Sequence, residues 1–211
     1  MTTPLSPAAS RPQSPHHRPE VPSKDAIAAL PPFQRLELDR ITLVNSTRSA
    51  QHAYEALIAS RAWGFDTESK PTFRVGDVSD GPHVLQLATN DHAWVFQLHD
   101  ADCRAVAADL LAQEHIVKAG FGLRDDRKRV VQKFGVDPAN VLELNNVFRA
   151  QGYRQEIGVK GAVAVLFQQN FPKSKKAATS NWLNERLSES QLIYAANDAY
   201  AAYRVWEALN L

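Results

Sequence analysis

The sequence predicts an α/β domain in which a mixed sheet, a three-stranded antiparallel meander plus parallel strands, is flanked by helices. Three observations predict it. Three short apolar segments rich in aromatic and β-branched residues follow one another between Trp63 and Leu98, the last two joined by Asn90-Asp91. Strand and helix patterns then alternate from Asp102 to Leu144. The chain closes with a long alanine-rich helical run, residues 188–210.

The opening stretch, MTTPLSPAASRPQSPHHRPEVPSK, is dense in Pro and Ser and holds almost nothing large and apolar. Such a segment cannot offset its own ordering entropy, so residues 1–25 are expected to be a disordered tail and residues 26–211 the folded domain. His16 and His17 fall inside that tail and are read as a solvated pair. ITLVN, from Ile41, reads as a strand, and Ser46 or Thr47 is placed to cap a helix running through Arg61. The next strand runs into WGFDTESK, and HVLQLAT and HAWVFQL complete the meander. DCRAVAADLLAQ has helical spacing, HIVKAG is a short strand, LRDDRKRVVQKFG is a helix closed by Gly135, and NVLEL is another strand. Beyond residue 155 the pattern is helical, ending in the long run capped by Ser188 or Ser190.

Composition narrows the function classes. With 24 Lys and Arg against 23 Asp and Glu, no whole-molecule field announces nucleic acid or a membrane, so such an affinity must be local. Cys103 is the single cysteine, which excludes an internal disulfide and a cysteine-built zinc site and fits a reducing compartment. No apolar run approaches the roughly 20 residues of a bilayer crossing, and the N-terminus lacks the apolar core of a secretory signal, so a soluble, cytoplasmic protein without membrane partners is expected.

Three acidic elements point to chemistry. In an extended segment alternate residues share a face, so Asp66 and Glu68 project side by side at a strand end, flanking Thr67. Paired carboxylates that close repel unless a cation sits between them, and for oxygen ligands the common cations are magnesium, manganese and calcium. Asp125 and Asp126 follow a Gly-Phe-Gly that ends a strand and opens a helix, where acids also simply offset the helix dipole. Tyr194 and Asp198 are four apart, on one face of the last helix, where packing plus a surface charge is the plainer account. No single element decides between ligand and structural roles.

The ordered set does. GFDTE, AGFGLRDD and YAANDAY resemble the three motifs of the DEDD superfamily of 3′-5′ exonucleases, and look closest to its ribonuclease D and Werner-syndrome exonuclease branch. The likeness runs from about residue 40 to the end. It implies a ribonuclease-H-like fold for the mixed sheet. It also implies hydrolysis of DNA or RNA from the 3′ end, releasing nucleoside 5′-monophosphates with two divalent ions, Mg²⁺ or Mn²⁺. Matched position by position, Asp66, Glu68, Asp126 and Asp198 fall on the four acids. Asp66 would bridge, Glu68 and Asp198 would complete the tighter metal, and Asp126 would hold the second. Asp125 is displaced from the motif, since the family's acid lies six residues after the first glycine, here Gly120. Position 193 is Ile and 194 is Tyr, so the chain resembles the tyrosine type, with Tyr194 orienting the water. Ser69 and Lys70 stand where the family often carries a bulky aromatic, a departure on the substrate-facing wall.

Nucleic-acid contacts are expected from Thr67 and from Lys173, Lys175 and Lys176 in FPKSKKAATSNW, a loop feeding the Tyr194 helix. Trp182 in that loop reads as a core anchor. The other basic run, Lys118, Arg124, Arg127, Lys128, Arg129 and Lys133, scatters around its helix and reads mainly as a solvated face. The rival to an exonuclease is a catalytically silent nucleic-acid-binding module on the same fold.

Overall fold

A computed structural model of the protein describes residues 18–71 and 80–211. Its strands are β1 (Ile41–Val44), β2 (Ala62–Glu68), β3 (Val84–Ala88), β4 (Ala93–Gln97), β5 (Val117–Gly120) and β6 (Val141–Glu143). Its helices are α1 (Lys24–Ala28), α2 (Thr47–Leu57), α3 (Ala101–Leu111), α4 (Leu123–Phe134), α5 (Leu144–Ala150), α6 (Gly158–Phe167), α7 (Lys175–Ala178) and α8 (Glu189–Ala208). The six strands form one sheet in the order β1-β4-β3-β2-β5-β6. β2, β3 and β4 are the antiparallel meander, with Asp66 opposite Gln86 and Gln86 opposite Val95. β1 joins β4 in parallel, and β5 and β6 extend the other edge in parallel from β2.

The sheet is covered on both faces, and side-chain alternation sorts its residues between two cores. Ala62, Val84, Ala88, Ala93 and Val95 face α5, α6 and α8. Trp63, Phe65, Leu85, Leu87, Trp94 and Phe96 face α2, α3 and α4. The helix ends follow the polar signals. Ser46 closes a capping box with Ser49, Asp100 accepts from the Cys103 N–H at 2.8 Å, and Ser188 closes a second box with Gln191. Gly135 ends α4 in the left-handed conformation, φ 68°.

Three expectations change at this point. The strand read through Leu144 stops at Glu143, because the Glu143 carboxylate accepts from Asn145 N–H at 3.0 Å and starts α5. Lys118 belongs to no solvated face: it is fully buried, its ammonium donating to the carbonyls of Gln113 and Ile116 beneath Trp63. In the tail, residues 1–17, with His16 and His17, lie outside the described residues, but ordered packing begins before residue 25. Val21 sits against the α6 core and Ser23 caps α1. Its small apolar content finds a prepared partner in Gly161, whose missing side chain leaves room for Val21.

The segment after α1 is sewn to the C-terminal half. Phe33 N–H donates to Asn170 O at 2.9 Å, and Asn170 N–H to Pro31 O at 2.8 Å. The buried Asn197 side chain of α8 then takes Leu36 N–H at 2.7 Å and gives to Leu36 O at 3.0 Å. No helix among the described residues is long and apolar enough to cross a membrane.

Candidate active site

The site forms where α8 crosses the central strand β2. Alternation puts Gly64, Asp66 and Glu68 on the face toward α8, and turns Phe65 and Thr67 to the other. At Gly64 the helix backbone lies so close that a Cβ there would fall 1.8 Å from Ala199 O. Glycine on the strand and alanines at 195, 196, 199 and 202 on the helix permit that approach. One residue before Ala199, the approach brings the buried Asp198 over Asp66 and Glu68, and ligand oxygens of all three lie within 4.8 Å of one another. Tyr194 stands one helical turn earlier, its ring backed by buried Trp182 at 6.1 Å between centroids.

Burial sets the electrostatics. Asp66 is held well above the ordinary carboxylate range by burial, with Asp198 and Asp126 adding to the shift. Glu68 is pushed up to about 9 by burial and then by Asp66 and Asp198, and Asp198 itself is raised by burial. The Tyr194 phenol is also raised, by burial first and by Asp198, Glu68 and Asp66. The Lys173 ammonium lies 2.7 Å from Asp198 Oδ2 and 5.6 Å from the centre of the Tyr194 ring. Burial alone would lower the Lys173 pKa, but the Asp198, Asp66 and Glu68 carboxylates outweigh it and raise it.

This donor set fits a divalent cation. Three carboxylates converge with oxygen donors only, the ligand type of Mg²⁺ and Mn²⁺. The buried Asp198 carboxylate is met by the Lys173 ammonium and the Tyr194 hydroxyl. Gln86, paired with Asp66 across β2 and β3, has both amide atoms buried and unpartnered. Native folds rarely leave such groups orphaned without a ligand or water to satisfy them.

Asp126 is not brought into that triad. Its Oδ1 accepts from Thr67 Oγ1 at 2.8 Å, on the opposite side of β2, and its carboxyl is raised by burial. Thr67 is buried and its hydroxyl donates to Asp126. Helix α4, which carries Asp126, is started by Glu143: its carboxylate accepts from Gly122 N–H at 3.1 Å and Leu123 N–H at 2.7 Å. Asp125 is exposed and meets Lys128 at 3.4 Å. Lys175 and Lys176 are exposed on α7, while Arg127 is paired with Asp137 at 2.6 Å. A cleft of about 280 Å³ opens beside Asp198, lined by Arg35, Ser174, Ser190, Ile193 and Tyr194 among others. A larger one of about 420 Å³, between Arg18–Val21 and Tyr153–Gln155, contains none of the acids. Sequence reading missed Glu143, Asn197 and Arg35. Their roles depend on contacts 20 to 161 residues away, and no local pattern marks them.

Residues 41–211 match the family model described as 3′-5′ exonuclease. The chain is 27% identical over 148 residues to the mouse bifunctional 3′-5′ exonuclease/ATP-dependent helicase WRN, covering 69% of this chain but 11% of that protein. It therefore spans a small part of that relative. Among solved structures, the Aedes aegypti Nibbler EXO domain superposes with a TM-score of 0.70 at 21% identity, covering 84% of this chain and 90% of that one. Trypanosoma brucei RNase D in complex with RNA U12 gives 0.71 at 19% identity, covering 88% and 64%. These likenesses confirm the expected ribonuclease-H-like sheet. With the match running from β1 to the last residue and its acids converging at one point, the chain belongs to the 3′-5′ exonuclease family of the DEDD superfamily.

Proposed function

We propose that residues 26–211 form a metal-dependent exonuclease that removes nucleoside 5′-monophosphates from the 3′ end of DNA or RNA. The observation that carries this reading is the convergence of Asp66, Glu68 and Asp198 within 4.8 Å beside Tyr194. Asp66, Glu68 and Asp198 would hold one ion, and Asp126, a strand's width away and electrostatically felt by Asp66, would serve a second. Bound divalent ions, Mg²⁺ or Mn²⁺, supply the positive charge that lets water approach a phosphodiester and that stabilises the leaving 3′ oxygen. The chain's own groups do the positioning. Tyr194, its phenol kept protonated by its buried acidic surroundings, orients the water by hydrogen bonding and takes no proton from it. Thr67 fixes the Asp126 carboxylate, and Trp182 fixes the Tyr194 ring. Lys175 and Lys176 face solvent on the approach to the cleft, where they can follow a phosphate backbone. The RNA-bound neighbour keeps RNA beside DNA as substrate. A lone, buried Cys103 suits a cytoplasmic protein.

The test is incubation with a 5′-labelled single-stranded DNA and its RNA counterpart, with Mg²⁺, Mn²⁺ or EDTA. A ladder shortening from the 3′ end, mononucleotide products and silence in EDTA are expected. Intact substrate in every lane, with binding shown separately, would replace the enzyme by a silent binding module.

A further inference from the structure

We propose that Lys173 is a built-in counter-ion: its ammonium holds the place of a divalent cation on Asp198, and metal loading displaces it. The inference rests on the metal site of the exonuclease reading. Three carboxylates within 4.8 Å cannot all stay ionised without a positive charge among them, and Lys173 supplies one at 2.7 Å from Asp198 Oδ2. The Tyr194 ring at 5.6 Å gives the ammonium a second attractive surface.

That position conflicts with a metal. A magnesium-like ion sits about 2.1 Å from its oxygen ligand, so on Asp198 Oδ2 it could lie no more than about 4.8 Å from an ammonium 2.7 Å from the same atom. A doubly charged and a singly charged cation at that range in a buried site repel strongly. One must yield, and Lys173 is the group built to move. Its side chain is one-third exposed, and Pro172, Ser174, Lys175 and Lys176 around it are exposed, so it swings out from the buried anchor Phe171 without breaking core. Once released, the ammonium stays at the rim beside Ser174 and Tyr194. Metal uptake thereby frees a cation for the incoming phosphate, and ligand and counter-ion are coupled reciprocally.

Mn²⁺ binding to the full chain, followed by calorimetry or spin resonance at low ionic strength, tests this on wild type, Lys173→Met and Lys173→Gln. Removing the competitor should tighten Mn²⁺ binding by about tenfold or more, a difference of roughly 1.4 kcal/mol. In EDTA both variants should melt below wild type, because the carboxylates lose their compensating charge. On wild type alone, Mn²⁺ should speed tryptic cleavage after Lys173, Lys175 or Lys176 severalfold. Variants that bind Mn²⁺ no tighter than wild type, or that melt at the same temperature in EDTA, would overturn the counter-ion role while leaving the exonuclease reading standing. Failure of wild type and variants alike to bind Mn²⁺ would remove both.

Discussion

A carboxyl held at about 9, as Glu68 is, keeps in the folded state a proton that the unfolded chain gives up near pH 4.3. Its contribution is fully present below the unfolded value and is lost as pH rises through the folded one, so metal-free stability should fall between about pH 4 and 9. Divalent metal should reverse the fall. Glu68→Gln keeps the shape and removes the charge. In EDTA at pH 8 it should therefore melt above wild type, each kcal/mol appearing as about 2–4 °C, while nuclease activity drops about a hundredfold or more. Thermal melts with and without EDTA, alongside the ladder assay, check both signs; a Glu68→Gln protein that melts lower would show that the glutamate side chain stabilises the fold. Lys173→Met is expected to shift the same melt in the opposite direction, which separates the counter-ion from the cluster it neutralises. Tyr194→Phe tests a narrower point. A phenol that stays protonated contributes no limb to the pH–rate profile, so losing its hydroxyl should lower kcat about 10²-fold and leave the profile's shape unchanged. A limb that vanishes in the variant would make Tyr194 a proton carrier.

The elements deliver these residues through two close contacts. β2 admits α8 at Gly64, where Ala199 O leaves no space for a methyl group. Gly64→Ala should force the helix off the strand, costing about 3 kcal/mol or more and separating Asp198 from Asp66 even where the protein still folds; equal stability and metal affinity in the variant would deny the contact its role. Asn197→Ala strips Leu36 of both its backbone partners, a loss of about 1–3 kcal/mol for each buried group left unmade. Faster amide exchange at Phe33 and Leu36 should accompany it, since the same segment is paired with Asn170. The two contacts differ in how far sequence exposes them. Gly64 sits inside a recognisable GFDTE, and the alanines of α8 are visible, although neither says that they meet. The strands, the Asn90-Asp91 turn and the Ser46 and Ser188 caps were legible because period, turn chemistry and capping are local signals. The change at Leu144 was not, because Glu143 starts both α5, two residues on, and α4, 20 residues earlier in the chain. Lys118 was misread for the same reason: only the fold places its ammonium under Trp63.

At the scale of the molecule, the sheet order brings residues 66, 68 and 198 to one point, since β2 lies at its centre and the last helix crosses it. Ordered motifs make that triad legible in the sequence. They did not separate Asp126 from it, because a one-residue alternation sends Thr67, with Asp126, to the other face. Nor did they show that a lysine expected on nucleic acid rests on Asp198. Charge at this scale bears on substrate binding. The net charge is +1, Lys118 is buried, Arg127 and Lys128 are engaged by acids, and Arg35 at the cleft is paired with Glu37 at 3.5 Å, so the cations left to meet a strand there are Lys173, Lys175 and Lys176. Each phosphate contact to a single strand contributes about −0.7 to the slope of log affinity against log salt, so three lysines give a slope of about −2. Fluorescence anisotropy on a labelled single strand in Ca²⁺ should return that value, and Lys175→Ala with Lys176→Ala should flatten it by roughly 1.4. In EDTA, with Lys173 held by Asp198, the wild-type slope should fall toward about −1.4. A slope steeper than about −5 would mean that a wider basic surface, including Arg124 and Arg129 on α4, takes the strand.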